Sequence, residues 1–482
     1  MSALLAARSV VPTYERRAPE STLLYKILQT QWRTFEAELN AESVCDAGGL
    51  PAFVHAEFES YLRCGIAAHG FVRVRCNDCG DSRTVAFSCK RRGFCPSCIG
   101  RCMNETAAHL VDDVLPHVPV RQWVLSVPHR LRYAMAHDPA LTSVVCKEFL
   151  SAVTRWIRWR LRKQKVRGLM KTGAATAIQR FDSALALNVH FHALVLDGAY
   201  SLNAAGKPQF HAVAAPDDED VGEVAMRVYT RVAKLFDVDQ DAVGVREPAM
   251  AAMAAASLRR MVATGSRRGL PIRRLKAGQT PVASLLGKTC AEVEGFNIHA
   301  NVRVAANDRV GLEALCRYIA RPPLSDDRLQ ERDDGTLSLR LKRAWSDGTT
   351  HLLLSPGELI EKLIPLIPRP RSHTMRYHGV LAPASGWRAA IVPRRQVPED
   401  ARVKQPPHKG KCCQRIPWAA LLMRVFKIDV LACGRCGGRM KVLAAVFKQN
   451  AVEGILDHLG ETAYAPLVAA ARAPPDDQTD WL

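Results

Sequence analysis

The chain has 482 residues, 67 of them Lys or Arg against 47 Asp or Glu, for a formal net charge of +20 at pH 7. That length allows roughly two to four domains, and the apolar fraction of 48% and charged fraction of 24% are those of an ordinary globular protein. No apolar stretch approaches the roughly 20 residues of a membrane span, and the N-terminus has too short an apolar run for a signal peptide, so a cytoplasmic location is expected, with nucleic acid as the first candidate for a polyanionic partner.

Residues 1–20 are polar and irregular. Ser21 to Leu39 then has helical apolar spacing at Leu24, Ile27, Leu28, Trp32 and Phe35, with a cap at Ser21 or Thr22. A cysteine-rich segment follows from Cys64 to Cys102. The chain has 15 cysteines, which in a reducing compartment are metal ligands or buried thiols before they are disulfides. Cys76-x2-Cys79 and Cys95-x2-Cys98 are separated by 15 residues, the spacing of a four-cysteine zinc ribbon. Each knuckle presents two thiolates from one tight turn, and Gly80 and Pro96 suit such turns. Cys64, Cys89, Cys102, His69 and His109 are additional, as buried thiols or substitute ligands. A ribbon beside Lys90, Arg91, Arg92 and Arg101 suits a nucleic-acid reader or a purely structural module.

Val120 to Val127 alternates as a strand, and Ser143 to Val166 reads as a basic amphipathic helix. Two basic runs, Arg155 to Arg167 and Arg259 to Lys276, look like phosphate-tracking surfaces. Between them lies an apolar run from Leu185 to Leu196. Alternation puts Leu185, Leu187, Val189, Phe191, Ala193 and Val195 on one face, and Asn188, His190 and His192 on the other. A short strand at Gln209 to Val213 is expected to pair with this one after a turn at Asn203 to Lys207, making a hairpin that carries the histidines. An acidic patch, Asp217 to Asp220, precedes helical sequence. Phe296 to Val304 alternates again, with Asn297, His299, Asn301 and Arg303 on one face. Asp308 to Ala320 reads as a helix capped by Asn307 or Asp308 and stopped by Pro322-Pro323. Gln396 to Gln414 is a basic, proline-containing linker before a last helix near Trp418. The pair Cys433-x2-Cys436 looks like a further knuckle for a second zinc, with Cys412-Cys413 as its candidate complement.

Two neutral imidazoles on one strand face each bring a donor and an acceptor that must find partners once buried, and one divalent cation satisfies both. On the helix after the second polar strand, Tyr318 has Arg317 beside it and Arg321 one turn on, at the border of a stripe formed by Leu312, Leu315 and Ile319. A phenol has a pKa near 10 and is a poor nucleophile unless its electrophile is activated. A cation on His190 and His192 supplies that for a DNA phosphate, leaving a 5′-phosphotyrosine and a free 3′-hydroxyl. Rejoining then needs no nucleotide triphosphate, and no Gly-x4-Gly-Lys-Ser/Thr loop is present.

The stretches FSCKRRGFCPSC, QWVLSVPHRLRY, ALNVHFHALVLDGAY, LCRYIARPPLS, SDGTTHLLLSPGELIEKL, RYHGVLAP and DVLACGRCGGRM together resemble transposases of the insertion-sequence 91 family, over roughly residues 20–460. These are rolling-circle enzymes of the HUH (His-hydrophobe-His) superfamily. The resemblance implies an α+β fold: an HUH-type antiparallel sheet flanked by helices, an N-terminal zinc-ribbon domain and a small C-terminal cysteine-containing module. It implies a zinc-binding domain at 20–110, a catalytic domain at 118–395, the linker at 396–414 and the C-terminal module at 415–482. It also implies nicking of single-stranded, hairpin-containing element ends and transfer of the strand to target DNA. His190 and His192 become ligands of Mg2+ or Mn2+, Tyr318 the nucleophile, and Arg317 and Arg321 contacts to DNA phosphate. Ala314, four residues before Tyr318, stands where two-tyrosine members have a second tyrosine, so the chain resembles the single-tyrosine, common-region-element branch. Cys102 stands where arginine is expected and is not counted as a ligand. For the third ligand the candidates are His299, Asn297 and Asn188, with His299 preferred; His378 is read as structural. The rival readings are a non-catalytic zinc-ribbon DNA-binding protein, a plasmid-type replication initiator and an inactive copy.

Overall fold

A computed structural model describes residues 17–41, 49–235, 247–276, 289–393, 418–426 and 429–472. The linker and Cys412-Cys413 lie outside them. No helix among the described residues is long and apolar enough to cross a membrane. The leading helix α1 (Leu23–Ala41) is followed by α2 (Ala52–Leu62). The fold divides into two compact units.

The smaller unit is built on a three-stranded antiparallel sheet. Its hairpin, β1 (Phe71–Cys76) and β2 (Ser82–Ala86), is joined on the β1 side by β16 (Met440–Val446), so the strand order is β16-β1-β2. Phe71 pairs with Val446 and Cys76 with Met440. Phe71, Val452 and Leu456 are buried together, the last two on the helix Gln449–Leu459. Gly70 (φ 111°) opens β1, and a side chain there would meet the Val446 carbonyl at 2.8 Å, so only glycine fits. Thus the strand that follows the last cysteine pair joins the sheet of the strand that precedes the first knuckle, where the sequence suggested separate modules. Pairing between strands so distant in sequence leaves no local trace.

The larger unit has a seven-stranded antiparallel sheet. Its strands are β3 (Val120–Ser126), β4 (Gly173–Phe181), β5 (Leu187–Leu196), β9 (Cys290–Val293), β10 (Phe296–His299), β11 (Arg303–Val304) and β15 (Met375–Gly379). The order is β15-β4-β5-β3-β10-β9, with β11 also on β3. A separate sheet has the order β12 (Leu329–Glu331), β13 (Leu337–Arg340), β14 (Thr349–Leu354), β8 (Arg273–Lys276).

Strand β5 is the middle of the main sheet because it is apolar on both faces. Leu187, Val189, Phe191, Ala193 and Val195 pack into one cluster with α4 (His129–His137), α5 (Pro139–Lys163), α6 (Asp218–Val232) and α7 (Pro248–Arg259). Leu194 and Leu196 pack on the other face with α3 (Pro96–Asp113) and α8 (Arg309–Ile319). The caps follow the sequence: Asp138 accepts from the Ala140 and Leu141 amides to start α5, Asp217 makes a capping box for α6, and Asp308 accepts from Gly311 N at 2.7 Å to start α8. Leu185, expected in the strand, instead has φ 56° in a turn where Asp182 accepts from the Ala184 and Ala186 amides.

The expected histidine hairpin does not form. Gln209 and its neighbours make β7 (Pro208–Ala212), which pairs with β6 (Gly198–Leu202) in a two-stranded ribbon, and the partners of β5 are β3 and β4. The cause is Asp197, which ends β5. Its buried carboxylate takes a two-pronged contact from Arg121 Nε and a terminal nitrogen (2.9 and 3.1 Å) and a third from Arg303 Nε (2.9 Å), tying β5 to β3 and β11. Arg121 is only 4% exposed. Asp197→Ala strands that guanidinium in the interior, and the expected loss is about 3–5 kcal/mol in urea unfolding; a loss below about 1 kcal/mol would show that the triad does not anchor the sheet.

Candidate functional site

His190 and His192 lie on the α3/α8 face of β5, opposite Ser126 and Val124 of β3 and Gln179 and Ala177 of β4. They are 7% and 4% exposed, yet their Nε2 atoms are 3.0 Å apart. Two cis ligands at about 2.1 Å from one cation stand about 3.0 Å apart, so the rings are set to share an ion. The His190 Nδ1–H donates to the Asn188 carbonyl (2.8 Å), which leaves its Nε2 lone pair toward His192. His192 Nδ1 meets the Gln122 side-chain amide at 2.8 Å. The atom facing Nδ1 is the amide Nε2, a donor; a half-turn of the amide brings its oxygen to accept from Nδ1–H and frees the second histidine Nε2 lone pair for the same ion. Burial pushes His190 down to about 4, with Arg321 and Arg132 adding to the effect against the Asn188 carbonyl. Burial also carries His192 well below its ordinary value, with the other ring and Arg321 contributing. Both rings are therefore neutral at pH 7, as ligands must be.

Among the described residues no third His, Cys, Asp or Glu joins the pair. His299, preferred from the sequence, is in the His192 row but across Val124 of the intervening β3, about 10 Å away at the spacing of strands. Its Nε2 instead contacts Cys290 Sγ at 3.3 Å. Asn297 is likewise beyond β3, opposite Ser126. Two amides are closer. Asn188 Oδ1 is buried without a hydrogen-bond partner, and so is Oε1 of Gln179, the residue opposite His190. The Gln179 amide nitrogen donates to the Ile319 carbonyl at 2.7 Å, which fixes the oxygen as the unpartnered end. Gln122 and Gln179 were not singled out in the sequence; the signal available was a polar residue interrupting each apolar strand.

That Gln179 bond also fastens the sheet to the end of α8. Tyr318 precedes Ile319, and its ring is perpendicular to His192 with centroids 5.9 Å apart. The phenol is 48% exposed, open to a substrate while its neighbours on the stripe, Leu315, Cys316 and Ile319, are buried. The Arg321 guanidinium stands 4.2 Å from the Tyr318 ring centroid and donates to the Tyr318 carbonyl (3.1 Å). Arg317 pairs with Glu313 at 2.5 Å. His378 pairs in register with Ala174, which faces Val195, so it lies on the opposite face of the sheet from the histidine pair.

In the smaller unit, Cys76 and Cys79 meet Cys433 and Cys436. Their Sγ atoms all lie within 4.8 Å of one another, with Cys76 to Cys436 at 3.5 Å and Cys79 to Cys433 at 3.6 Å. A tetrahedral zinc with bonds near 2.3 Å has sulfur edges of about 3.8 Å. The two knuckles share one shape: in each, the glycine four residues after the first cysteine has positive φ (Gly80 75°, Gly437 74°) and its amide donates to that cysteine's carbonyl. The Cys79 backbone amide helps to pull the Cys76 thiol down to about 7. Cys436, though lowered by the Gly438 amide, is raised to about 12 by the thiols around it. Four crowded thiols resist full ionisation unless a cation joins them.

The expected ribbon of Cys76, Cys79, Cys95 and Cys98 is therefore not what forms. Cys95 instead caps a helix with Pro96 at its first turn and has no following glycine, so this pair is not a knuckle of the same kind.

Two family models match the chain. Residues 27–127 match one described as "Transposase zinc-binding domain", and residues 173–388 match one described as "Putative transposase". The first contains Cys76 and Cys79 of the thiol group; the second contains β4, β5 and the helix bearing Tyr318. No curated protein and no solved structure matches.

Zinc bound by the full chain is expected to fall by one equivalent in Cys436→Ser and equally in Cys76→Ser, since both thiols belong to one group of four. An unchanged zinc content in Cys436→Ser would mean that the last cysteine pair does not complete the site.

Proposed function

The chain belongs to the insertion-sequence 91 family of transposases, and on that footing we propose that it acts as a rolling-circle transposase that nicks single-stranded DNA at element ends through Tyr318. The observation that carries this reading is the perpendicular approach of the half-exposed Tyr318 ring to His192, whose Nε2 stands 3.0 Å from that of His190. A phenol nucleophile and an ion site at such separation suit attack on one phosphate.

In this reading the Tyr318 oxygen forms a bond to phosphorus and the bond from phosphorus to the 3′ oxygen breaks. The phenolic proton passes to solvent and the departing 3′ oxygen takes a proton. The DNA is left as a 5′-phosphotyrosine, and a later attack by a 3′-hydroxyl on that ester releases the tyrosine and restores a phosphodiester. The bond energy is conserved, so no nucleotide triphosphate enters. His190 and His192 would hold Mg2+ or Mn2+, which would supply Lewis-acid polarisation of a non-bridging phosphate oxygen. The unpartnered oxygens of Gln179 and Asn188 are the candidates to complete the set. Arg321, beside Tyr318, offers a fixed positive charge to the same phosphate. Burial of the histidines excludes water from their ring nitrogens, and Gln179 holds the helix end at a constant distance from them.

The test is incubation of the full chain with labelled single-stranded DNA from the element ends and Mg2+ or Mn2+, followed by a denaturing gel. A covalent adduct is expected, lost with chelator, in Tyr318→Phe and in His190→Ala; persistence in Tyr318→Phe would place the nucleophile elsewhere. Gln179→Ala is expected to weaken Mn2+ binding by about 10-fold or more if its oxygen is a ligand or its helix tie orders the site, and unchanged binding would leave Asn188 as the better candidate.

A further inference from the structure

Helix α5 presents a second feature that the chemistry at Tyr318 does not use. Its apolar residues, among them Phe149, Val153 and Ile157, pack on the face of β5 that carries Phe191, opposite the histidine pair. The outer side borders a cleft of about 540 Å³ shared with α6. Lys147, Arg155, Arg158 and Arg162 line it from α5, and Arg227 and Arg231 from α6, against one carboxylate, Glu223. Lys147 and Arg162 are 15 residues apart, or about 22 Å along the helix.

The charges differ in how they are already used. Arg227 pairs with Glu223, and Arg231 with Glu148 at 2.8 Å. Lys147, Arg155 and Arg162 are exposed and form no ion pair among the described residues. The other basic run of the sequence contrasts with this one. Arg260 pairs with Asp182, Arg267 with Glu358, and Arg274 with Asp347, so much of that charge is balanced within the fold. At the α5 cleft an exposed Trp159 also lines the wall, with Lys163 Nζ 3.8 Å from its ring centroid. Leu150, Thr154 and Arg158 are common to a second cavity of about 520 Å³ that runs on to Lys171 and His378, so the two form one trough. A cationic groove with an aromatic ring in its wall is the arrangement that binds single strands by phosphate contacts and stacking.

We propose that the α5–α6 trough binds a segment of single-stranded DNA other than the one attacked by Tyr318. The DNA-binding part stands on the trough alone; the word "other" rests on the reading of Tyr318 as nucleophile. Strand transfer joins two DNA segments, and a segment in the trough is held on the opposite side of the sheet from the tyrosine.

The test uses the full chain carrying Tyr318→Phe and a fluorescent oligothymidylate, with anisotropy measured across a salt series. Arg155→Glu/Arg162→Glu is expected to bind at least 10-fold more weakly and to lower the slope of log K against log salt by about 1.4, two phosphates at about 0.7 each. Thermal unfolding of the variant, expected to be unchanged because both residues are exposed, checks its fold. Unchanged affinity and slope would overturn the proposal, as would a stronger preference of the trough for duplex. With Tyr318 intact, a preformed adduct should still capture the second oligonucleotide in the wild type and fail to do so in the charge-reversed variant, with adduct formation at saturating substrate unaltered. Loss of adduct formation in step with binding would make the trough part of the path of the attacked strand and overturn the second-segment claim. Absence of any adduct in the wild type would remove the tyrosine reading, while the anisotropy series would still decide whether the trough binds DNA.

Discussion

Five apolar side chains on one face of β5 pack beneath α4, α5, α6 and α7, and the strand cannot slip by one residue without turning all of them to the other side. That register fixes the face of the sheet on which His190 and His192 lie. It also decides which residues of β3 and β4 lie beside them, so Gln122 and Gln179 become neighbours of the pair through hydrogen-bonded strands and not through any closeness in sequence. The Asp197 carboxylate locks the same register from the far end of the strand by holding Arg121 of β3 and Arg303 of β11. A large hydrophobic surface thus supplies the energy, and one buried ionic contact supplies the alignment.

Placing two imidazoles in that setting has an electrostatic result. Burial disfavours their charged forms, Arg321 adds to the suppression in both, and His190 adds to it in His192. Such a pair gains little from protons and much from a cation with two open coordination positions. Two unpartnered amide oxygens nearby point to the same conclusion, since buried carbonyl oxygens ordinarily find donors. The site is costly to leave as bare protein and is relieved by an ion.

Local periodicity made the histidine strand and the tyrosine helix legible, because their apolar faces repeat every two and every 3.6 residues and their caps are short-range. The pairing of Tyr318 with the histidines rested on its helix following the second polar strand, on Arg317 and Arg321 beside it and then on the family resemblance, for nothing in a helical stripe says which strand it will cover. Strand partners were the main loss: β7 was expected beside β5, and β5 instead took β3 and β4. The same blindness affected the thiols. Two Cys-x2-Cys pairs near each other in sequence invited one ribbon, although the glycine that follows Cys79 has its match after Cys436 and not after Cys98. His299 was favoured as a ligand from its polar strand face, which was read correctly as a face but not as one separated from the pair by a whole strand.

The joining of Cys79 to Cys433 across 354 residues has a consequence for biosynthesis. A ribosome working at 5–20 residues per second needs on the order of 20–70 s to bridge that interval. Throughout it the first knuckle exists without its complement, and β1 lacks β16 along one edge. A transcript interrupted between the codons for Tyr318 and those for Cys433 therefore yields a product that still contains the histidines and the tyrosine but has an open sheet edge and half of a thiol tetrahedron. An open edge and unpaired thiols expose such fragments to proteolysis and aggregation, so the segment from Cys433 to Val446 acts as a check that translation has reached it.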